Sequence, residues 1–288
     1  MKKFAVIDVG SNSVRLMLVA DGKVLYKTLE TTRLGEGLAH SKTLKQEAIS
    51  RSAKAVASFY FQAIDEGAER VYSFATAAVR TAENGRDFLS AVKNLCPLDV
   101  EIVSGEEEGE LGILGALGNR DGGVIDLGGA SAEIAIRKSG ETIYKKSVDV
   151  GIVRLKDACG TDKEKLTAFS KEKIKAYGAL PDYGKTYGIG GTATTLAAYK
   201  LSLSKYDPEK VTGTVISQEE MAETAEYLLS LPIEKISRLS GIPKGRADVI
   251  GGGALFFSVL MKDLGIEEIT ISDRDNLEGY AIKRGLME

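Results

Sequence analysis

Residues 6–13 of this chain read VIDVGSNS, and residues 124–131 read VIDLGGAS. Both stretches follow the pattern V-I-D-x-G-x-x-S, in which a short apolar run ends in an aspartate and a glycine. The run predicts a buried strand, and the glycine predicts a tight turn where the backbone closely approaches another group. Each copy is followed by two more extended segments, at 14–20 and 23–30 and at 132–136 and 142–150. This repeat of strand, turn, strand and strand predicts two related halves.

The segments between and after the two copies alternate between helical and extended patterns. Helices are predicted at 44–66, 86–95, 106–117, 152–158, 163–177, 193–201, 219–229, 233–239, 255–264 and 277–284. Further strands are predicted at 70–75, 100–103, 186–189 and 268–272. This alternation predicts an α/β fold of layered sheets and helices, with the two halves facing a cleft. Because no Pro- or Ser-rich linker separates the halves, we expect a tight crossover near 119–122.

The composition excludes several classes of protein. With 38 Lys+Arg against 41 Asp+Glu, the chain has no basic excess to attract nucleic acid or an anionic membrane. Cys96 and Cys159 form no CxxC pair, and His40 is the only histidine, which disfavours zinc sites and catalytic triads. Neither the N-terminal apolar run nor residues 251–261 are long enough for a signal peptide or a membrane span. We expect a soluble cytoplasmic protein.

The two glycine turns have the chemistry of phosphate-binding loops. Glycine leaves backbone N–H groups free to face phosphoryl oxygens, serine can donate a hydrogen bond, and aspartate can hold Mg²⁺ directly or through water. A single turn of this kind is equally explained by a tight hairpin. Two turns in corresponding positions favour a phosphate site, although Ser11, Asn12, Ser13 and Thr192 are also suited to turns and helix caps.

Six segments, in this order, resemble the motifs of the exopolyphosphatase and guanosine pentaphosphate phosphohydrolase family, a branch of the actin-like superfamily. They are DVGSNSVRL (8–16), RLGEGL (33–38), TAAVR (76–80), SGEEE (104–108), GIVRL (151–155) and GGTATTL (190–196). The resemblance implies a short, two-domain form with two actin-like, ribonuclease H-like domains around a central cleft. It implies that residues 1–119 and 277–288 form one domain and residues 120–276 the other.

The resemblance also implies an activity, which is the Mg²⁺-dependent hydrolysis of a terminal phosphoanhydride. The substrate would be inorganic polyphosphate or a guanosine penta- or tetraphosphate such as pppGpp. By the family pattern Glu108 is the general base, and Asp126, Glu133 and Asp8 lie around the Mg²⁺. The residues expected to contact phosphate are Gly10, Ser11, Asn12, Ser13, Arg80, Gly128, Gly129, Ala130, Ser131, Arg154, Gly191 and Thr192.

The alternatives are a kinase of the same superfamily and a non-catalytic sensor that binds a nucleotide or polyphosphate. A kinase needs an adenosine pocket, for which residues 251–253 occupy the corresponding position, although these glycines are equally suited to packing a helix. Arg80 and Arg154 are also explained as structural ion pairs. The chain departs from the family pattern at Ala130, where a third glycine is usual, and at residues 275–279, which read DNLEG rather than GLREG. The sequence leaves a homodimer open.

Overall fold

The computed structural model describes residues 2–38 and 40–287. Its strands are β1 (Lys3–Val9), β2 (Ser13–Ala20), β3 (Lys23–Thr31), β4 (Arg70–Ala75), β5 (Glu101–Ile102), β6 (Gly122–Leu127), β7 (Ala132–Lys138), β8 (Glu141–Val148), β9 (Thr186–Ile189), β10 (Val215–Ser217) and β11 (Glu268–Ile271). Its helices are α1 (Gln46–Asp65), α2 (Ala77–Thr81), α3 (Gly85–Leu95), α4 (Gly105–Leu117), α5 (Ile152–Cys159), α6 (Lys163–Ile174), α7 (Gly190–Lys200), α8 (Pro208–Val211), α9 (Gln218–Ser230), α10 (Ile233–Ile236), α11 (Ile250–Asp263) and α12 (Asn276–Lys283).

The two sheets have the same strand order. The first runs β3-β2-β1-β4-β5, and the second runs β8-β7-β6-β9-β11 with β10 added at its edge. In both, the first three strands form an antiparallel meander and the fourth pairs in parallel with the first. The predicted repeat and the α/β fold class, with two related halves facing a cleft, are confirmed.

Each sheet has its own apolar core. Side chains of β1 and β2 pack with α1 and α3, and those of β6, β7, β9 and β11 pack with helices of the second half, including α6, α9 and α11. The last helix, α12, returns to the first sheet, where Leu277 and Tyr280 pack with Val6 and Phe74. Helix α4 contacts both α12 and strands β6–β8. The predicted domain boundaries stay a prediction.

Two helices begin several residues earlier than predicted, and both have glycines in their first turn. Helix α7 begins at Gly190 rather than at 193, and α11 begins at Ile250 rather than at 255. The glycines at 251–253 lie within α11 and form no turn. They allow the helix to pack closely, since a Cβ on Gly253 would lie 2.7 Å from Thr192 Cγ2. The short elements α2, α8 and β10 were not predicted, since three to five residues carry little periodicity. In the part of the chain described, no helix has the length and apolarity needed to cross a membrane.

Candidate phosphate-binding cleft

The two glycine loops fold into the same turn. The Gly10 N–H donates to the Ser13 carbonyl at 3.0 Å, and the Gly128 N–H donates to the Ser131 carbonyl at 3.0 Å. A Cβ on either glycine would lie 3.1 or 3.2 Å from the serine oxygen it faces, so both turns favour glycine. The repeat seen in the sequence is therefore a repeat of backbone geometry.

The two loops meet face to face between the halves. A Cβ on Gly129 would lie 2.6 Å from Ser11 Cβ and 3.0 Å from Asn12 N, so glycine at 129 permits the contact. Beside this contact is a cavity of about 70 Å³. Its lining combines both loops with more distant residues: Asp8, Gly10, Ser11, Asn12, Ser13, Arg15, Thr76, Glu108, Asp126, Leu127, Gly128, Gly129, Ala130, Ser131, Ile152, Gly190, Gly191, Thr192, Arg246 and Asn276.

The two halves differ in the charge opposite each loop aspartate. In the first hairpin the residue opposite Asp8 on the neighbouring strand is Arg15, and in the second hairpin the residue opposite Asp126 is Glu133. Arg15 Nε donates to Asp8 Oδ2 at 2.8 Å, so the first aspartate is neutralised. Two carboxylates directly opposite each other repel, and no basic side chain faces Asp126 across the second hairpin.

Glu108 joins Asp126 and Glu133 in a cluster of three buried carboxyl groups, and all three have raised pKa values. Burial raises the pKa of Asp126 to about 8, and the charge of Glu108 adds to the shift. Burial raises the pKa of Glu108 to about 7 against the opposing effect of Arg80. Burial, and then Glu108, raise the pKa of Glu133 well above its usual value. A cation or a bound proton would relieve this repulsion.

Helix α4 points Glu108 into the cavity. The helix begins with a capping box, in which Ser104 Oγ accepts from the Glu107 N–H at 3.1 Å and Glu107 Oε2 accepts from the Ser104 N–H at 3.1 Å. Glu106 lies on the outside, near Lys145. Glu108 is buried, and its Oε2 accepts from Arg80 Nη1 at 3.0 Å. Of the three consecutive glutamates, Glu108 alone lines the cavity.

Arg246 and Asn276 line the cavity but were not predicted as site residues. Arg246 is buried, and within the described ranges its guanidinium has no hydrogen bond or ion pair; burial lowers its pKa to about 10. It packs where Gly191 has no side chain, since a Cβ there would lie 1.9 Å from Nη2. Asn276 Nδ2 donates to Asp126 Oδ2 at 2.9 Å. Both lie outside the motif segments, so only the fold brings them to the loops.

Three predicted site residues do not line the cavity. Arg80 lies behind Glu108, where it also donates to the Val103 carbonyl at 2.8 Å. Glu133 is buried behind Asp126 and accepts from Ser147 Oγ at 2.6 Å. Arg154 lies on α5 and donates to Thr81 Oγ1 at 3.1 Å. The other predicted residues all belong to the lining.

Residues 33–38 connect the backs of the two phosphate loops. The Gly35 N–H donates to the Ser11 carbonyl at 2.8 Å, which attaches this segment to the first loop. The Gly37 N–H donates to Asp157 on α5 at 2.8 Å, and α5 itself bonds to the second loop through the Val153 N–H. Asp248 accepts from Arg33 at 3.1 Å and also pairs with Lys156. These bonds hold the two loops close together.

Comparisons with a family model, with curated proteins and with solved structures all point to the same family. The model of the Ppx/GppA phosphatase family matches residues 5–285. The chain belongs to this family. It is 30% identical to "Exopolyphosphatase 2" of Mycobacterium tuberculosis, over 98% of each chain. It is 28% identical to the guanosine-5'-triphosphate,3'-diphosphate pyrophosphatase of Vibrio cholerae, over 99% of this chain and 58% of that protein. The solved Aquifex aeolicus Ppx/GppA family member superposes with a TM-score of 0.79 at 28% identity, covering 99% of this chain and 98% of that one.

The site of this Ppx/GppA family member fits Mg²⁺ bound through few protein ligands. Across residues 2–38 and 40–287, no three His, Cys, Asp or Glu side chains group closely enough to hold a metal ion. At phosphoryl sites Mg²⁺ usually takes one or two carboxylates and completes its shell with water and substrate oxygens. Asp126 has no ion pair in the described chain, and the buried Glu133 Oε2 has no hydrogen-bond partner there. Asp8 fits less well because Arg15 already neutralises it.

Proposed function

We propose that this chain is an Mg²⁺-dependent phosphohydrolase that releases the terminal phosphate of inorganic polyphosphate or of pppGpp. The observation that carries the proposal is the pair of facing loops, closed by the same turn, with the carboxyl group of Glu108 beside them. Phosphoryl transfer depends mainly on positioning and on charge stabilisation, which such loops supply. The names of the relatives above support the same reaction class.

The terminal phosphates would lie between the loops, whose residues line the cavity and could donate backbone N–H and serine hydroxyl hydrogen bonds. Arg246 supplies a guanidinium that has no carboxylate partner in the described chain. Planar guanidinium groups suit phosphate oxygens, and a buried one is strengthened by its low-dielectric surroundings. Arg246 is therefore the cation best placed to hold an incoming phosphoryl group.

Glu108 would orient the attacking water and accept its proton on a carboxylate oxygen. A pKa of about 7 keeps part of the carboxyl ionised near neutral pH while leaving it basic enough to take a proton. Arg80 holds Oε2, which leaves Oε1 for the water. As the oxygen–phosphorus bond to the water forms, the bond to the bridging oxygen breaks, and the shortened chain leaves with that oxygen.

Asp126, which lines the cavity, would hold Mg²⁺, with the carboxyl group of Glu133 directly opposite it across the hairpin. When bound, the ion neutralises charge on the transferred phosphoryl group. Replacing Asp126 with alanine should lower turnover by at least ~10²-fold, since charge stabilisation is usually a large part of catalysis. If activity survived both this substitution and EDTA, the metal assignment would be wrong.

The packing around α11 disfavours a kinase. Where a kinase would place adenosine, the cavity beside Gly251 and Gly252 measures about 20 Å³. That is room for one or two waters and not for a nucleobase. A Cβ on Gly251 would lie 3.1 Å from Leu229, so side chains of α9 already occupy the space. A nucleotide substrate would therefore leave its nucleoside outside this position.

The deciding experiment is phosphate release from long-chain polyphosphate, tripolyphosphate, pppGpp and ATP, each with Mg²⁺. We expect polyphosphate or pppGpp to be cleaved from the end, with ATP far slower. The Glu108→Gln variant, assayed in parallel, separates catalysis by this site from a contaminating phosphatase. Tight binding of polyphosphate without any release would favour the non-catalytic sensor.

A homodimer, a cytoplasmic location and the absence of a nucleic-acid partner stay predictions. Light scattering after size exclusion tests for a homodimer, and binding to double-stranded DNA at low salt tests for a nucleic-acid partner. With a net charge of −3, we expect no DNA binding above 0.1 M salt.

A further inference from the structure

The first turn of α12 contacts two side chains that line the cavity, Arg15 and Asp126. Its N-cap residue, Asp275, pairs with Arg15, which in turn pairs with Asp8. Its first helical residue, Asn276, donates Nδ2 to Asp126 Oδ2 at 2.9 Å. Both residues are more than nine-tenths buried, with exposures of 4% and 3%. The turn is therefore linked to the aspartates of both phosphate loops. Asn276 bonds Asp126 directly, and Asp275 bonds Arg15, the partner of Asp8.

The position of this turn is fixed independently of the site. A capping box joins Asp275 and Glu278, with the Asp275 N–H donating to Glu278 Oε2 at 3.0 Å. Glycines allow the turn to pack directly on α4, the helix that carries Glu108. A Cβ on Gly115 would lie 1.9 Å from the Asp275 carbonyl oxygen, and a Cβ on Gly279 would lie 1.9 Å from the Leu111 carbonyl oxygen. Asn276 is consequently held by backbone packing rather than by Asp126.

Asn276 is the one side chain of the described residues that hydrogen-bonds to the Asp126 carboxylate. The bond engages Oδ2. The other oxygen, Oδ1, lies beside Gly190, where a Cβ would come within 2.3 Å of it. An amide donor is neutral, so it fixes the direction of the carboxyl group without adding a positive charge beside it. A lysine or arginine there would compete with a cation.

We infer that Asn276 is a positioning residue that orients Asp126 toward the cavity while keeping its charge available for a divalent cation. This inference rests on the proposed function for the identity of the cation. Partners that orient metal-binding carboxylates typically contribute 10–100-fold to metal affinity or activity. The same effect is expected here, through Asp126.

The test is the affinity of the full chain for Mn²⁺ alone, measured from the EPR signal of the free ion. Two variants remove the amide: Asn276→Leu keeps most of the volume and Asn276→Ala does not. If orientation of Asp126 is the role, both raise the Mn²⁺ dissociation constant by about 10–100-fold, to similar extents. The matched control is Asn84→Leu, because Asn84 does not line the cavity and its amide bonds only the backbone, accepting from the Leu44 N–H and donating to the Leu44 carbonyl.

A purely structural role predicts a different pattern. Asn276→Ala would then be less stable than Asn276→Leu in EDTA, and both would bind Mn²⁺ within about twofold of wild type, which overturns the inference. Equal losses of affinity in Asn84→Leu, or no Mn²⁺ binding by the wild type, overturn it as well. If the wild type binds Mn²⁺ and the variants bind it more weakly but no substrate is cleaved, the proposed function fails while the inference stands. In an active enzyme, the variants should need more Mg²⁺ for half-activation and recover most of kcat at saturation.

Discussion

Replacing Glu108 with glutamine tests the catalytic site by exchanging one carboxylate oxygen for an amide nitrogen. Glutamine keeps the volume and can still face Arg80, but it cannot accept a proton from water. A positioned general base usually contributes about 10²–10⁴-fold to the rate, so kcat should fall by that factor. The matched control is Glu107→Gln, which keeps the capping box at the start of α4 and should leave kcat within about threefold of wild type.

The same substitution should stabilise the protein at higher pH. Burial raises the folded-state pKa of Glu108 from 4.5 to about 7. Between these values the folded protein keeps a proton that the unfolded chain has lost, so rising pH lowers the free energy of unfolding. A shift of this size corresponds to about 3 kcal/mol as an upper estimate. Glutamine does not titrate, so Glu108→Gln should become more stable relative to wild type as pH rises from 4.5 through 7.

The assay has two parts, which together separate catalysis from folding. The first is kcat for phosphate release from tripolyphosphate with Mg²⁺ at pH 8. The second is the free energy of unfolding in urea at pH 5 and pH 8, without metal. The reasoning is refuted if kcat falls less than tenfold, or if Glu108→Gln shows no gain in relative stability between the two pH values. Equal losses of kcat in Glu107→Gln would mean that the acidic run serves only as a helix start.

Three further substitutions test the surroundings of the cavity. Arg80→Lys keeps a charge beside Glu108 but loses the planar guanidinium, whose Nη1 donates to both Glu108 and Val103, so kcat/KM should fall by about tenfold or more; an unchanged value would make Arg80 purely structural. Gly129→Ala places a methyl group 2.6 Å from Ser11 Cβ, so it should separate the loops and raise KM for tripolyphosphate, measured by initial rates, with little change in Tm. Asp248→Asn removes a carboxylate that serves two cations, and hydrogen exchange of the segment 33–38 should accelerate; unchanged protection would contradict its role in holding the loops together.

Much of the fold follows from local sequence patterns. The repeated V-I-D-x-G-x-x-S segments predict both meanders, and the structure closes both turns with the same hydrogen bond. The early starts of α7 and α11 were missed because glycine ordinarily indicates a turn. In α11 glycine instead serves packing, which depends on Thr192 and Leu229 from other elements. Information of that kind is not present in the local sequence.

The site divides in the same way. Loop residues and Glu108 belong to motifs, and the structure brings them to one cavity. Arg246 lies in a short turn before α11, and Asn276 lies where the chain departs from the family pattern. The signal that was available for Arg246 was weak, since a single arginine in a polar segment is usually a surface residue. Burial without a partner, which distinguishes it, becomes visible only once the chain is folded.

The two halves share a backbone but differ in charge, and this difference bears on the reaction. The position opposite the loop aspartate is Arg15 in the first half and Glu133 in the second. A phosphate chain between the loops would thus meet a neutralised aspartate on one side and repelling carboxylates on the other. These carboxyl groups would repel polyphosphate when ionised, unless a cation or a bound proton compensates their charge, and Arg246 alone supplies a single positive charge there. A divalent cation held near Asp126 would convert that side from repulsive to attractive, which ties phosphate binding to metal binding in the second half.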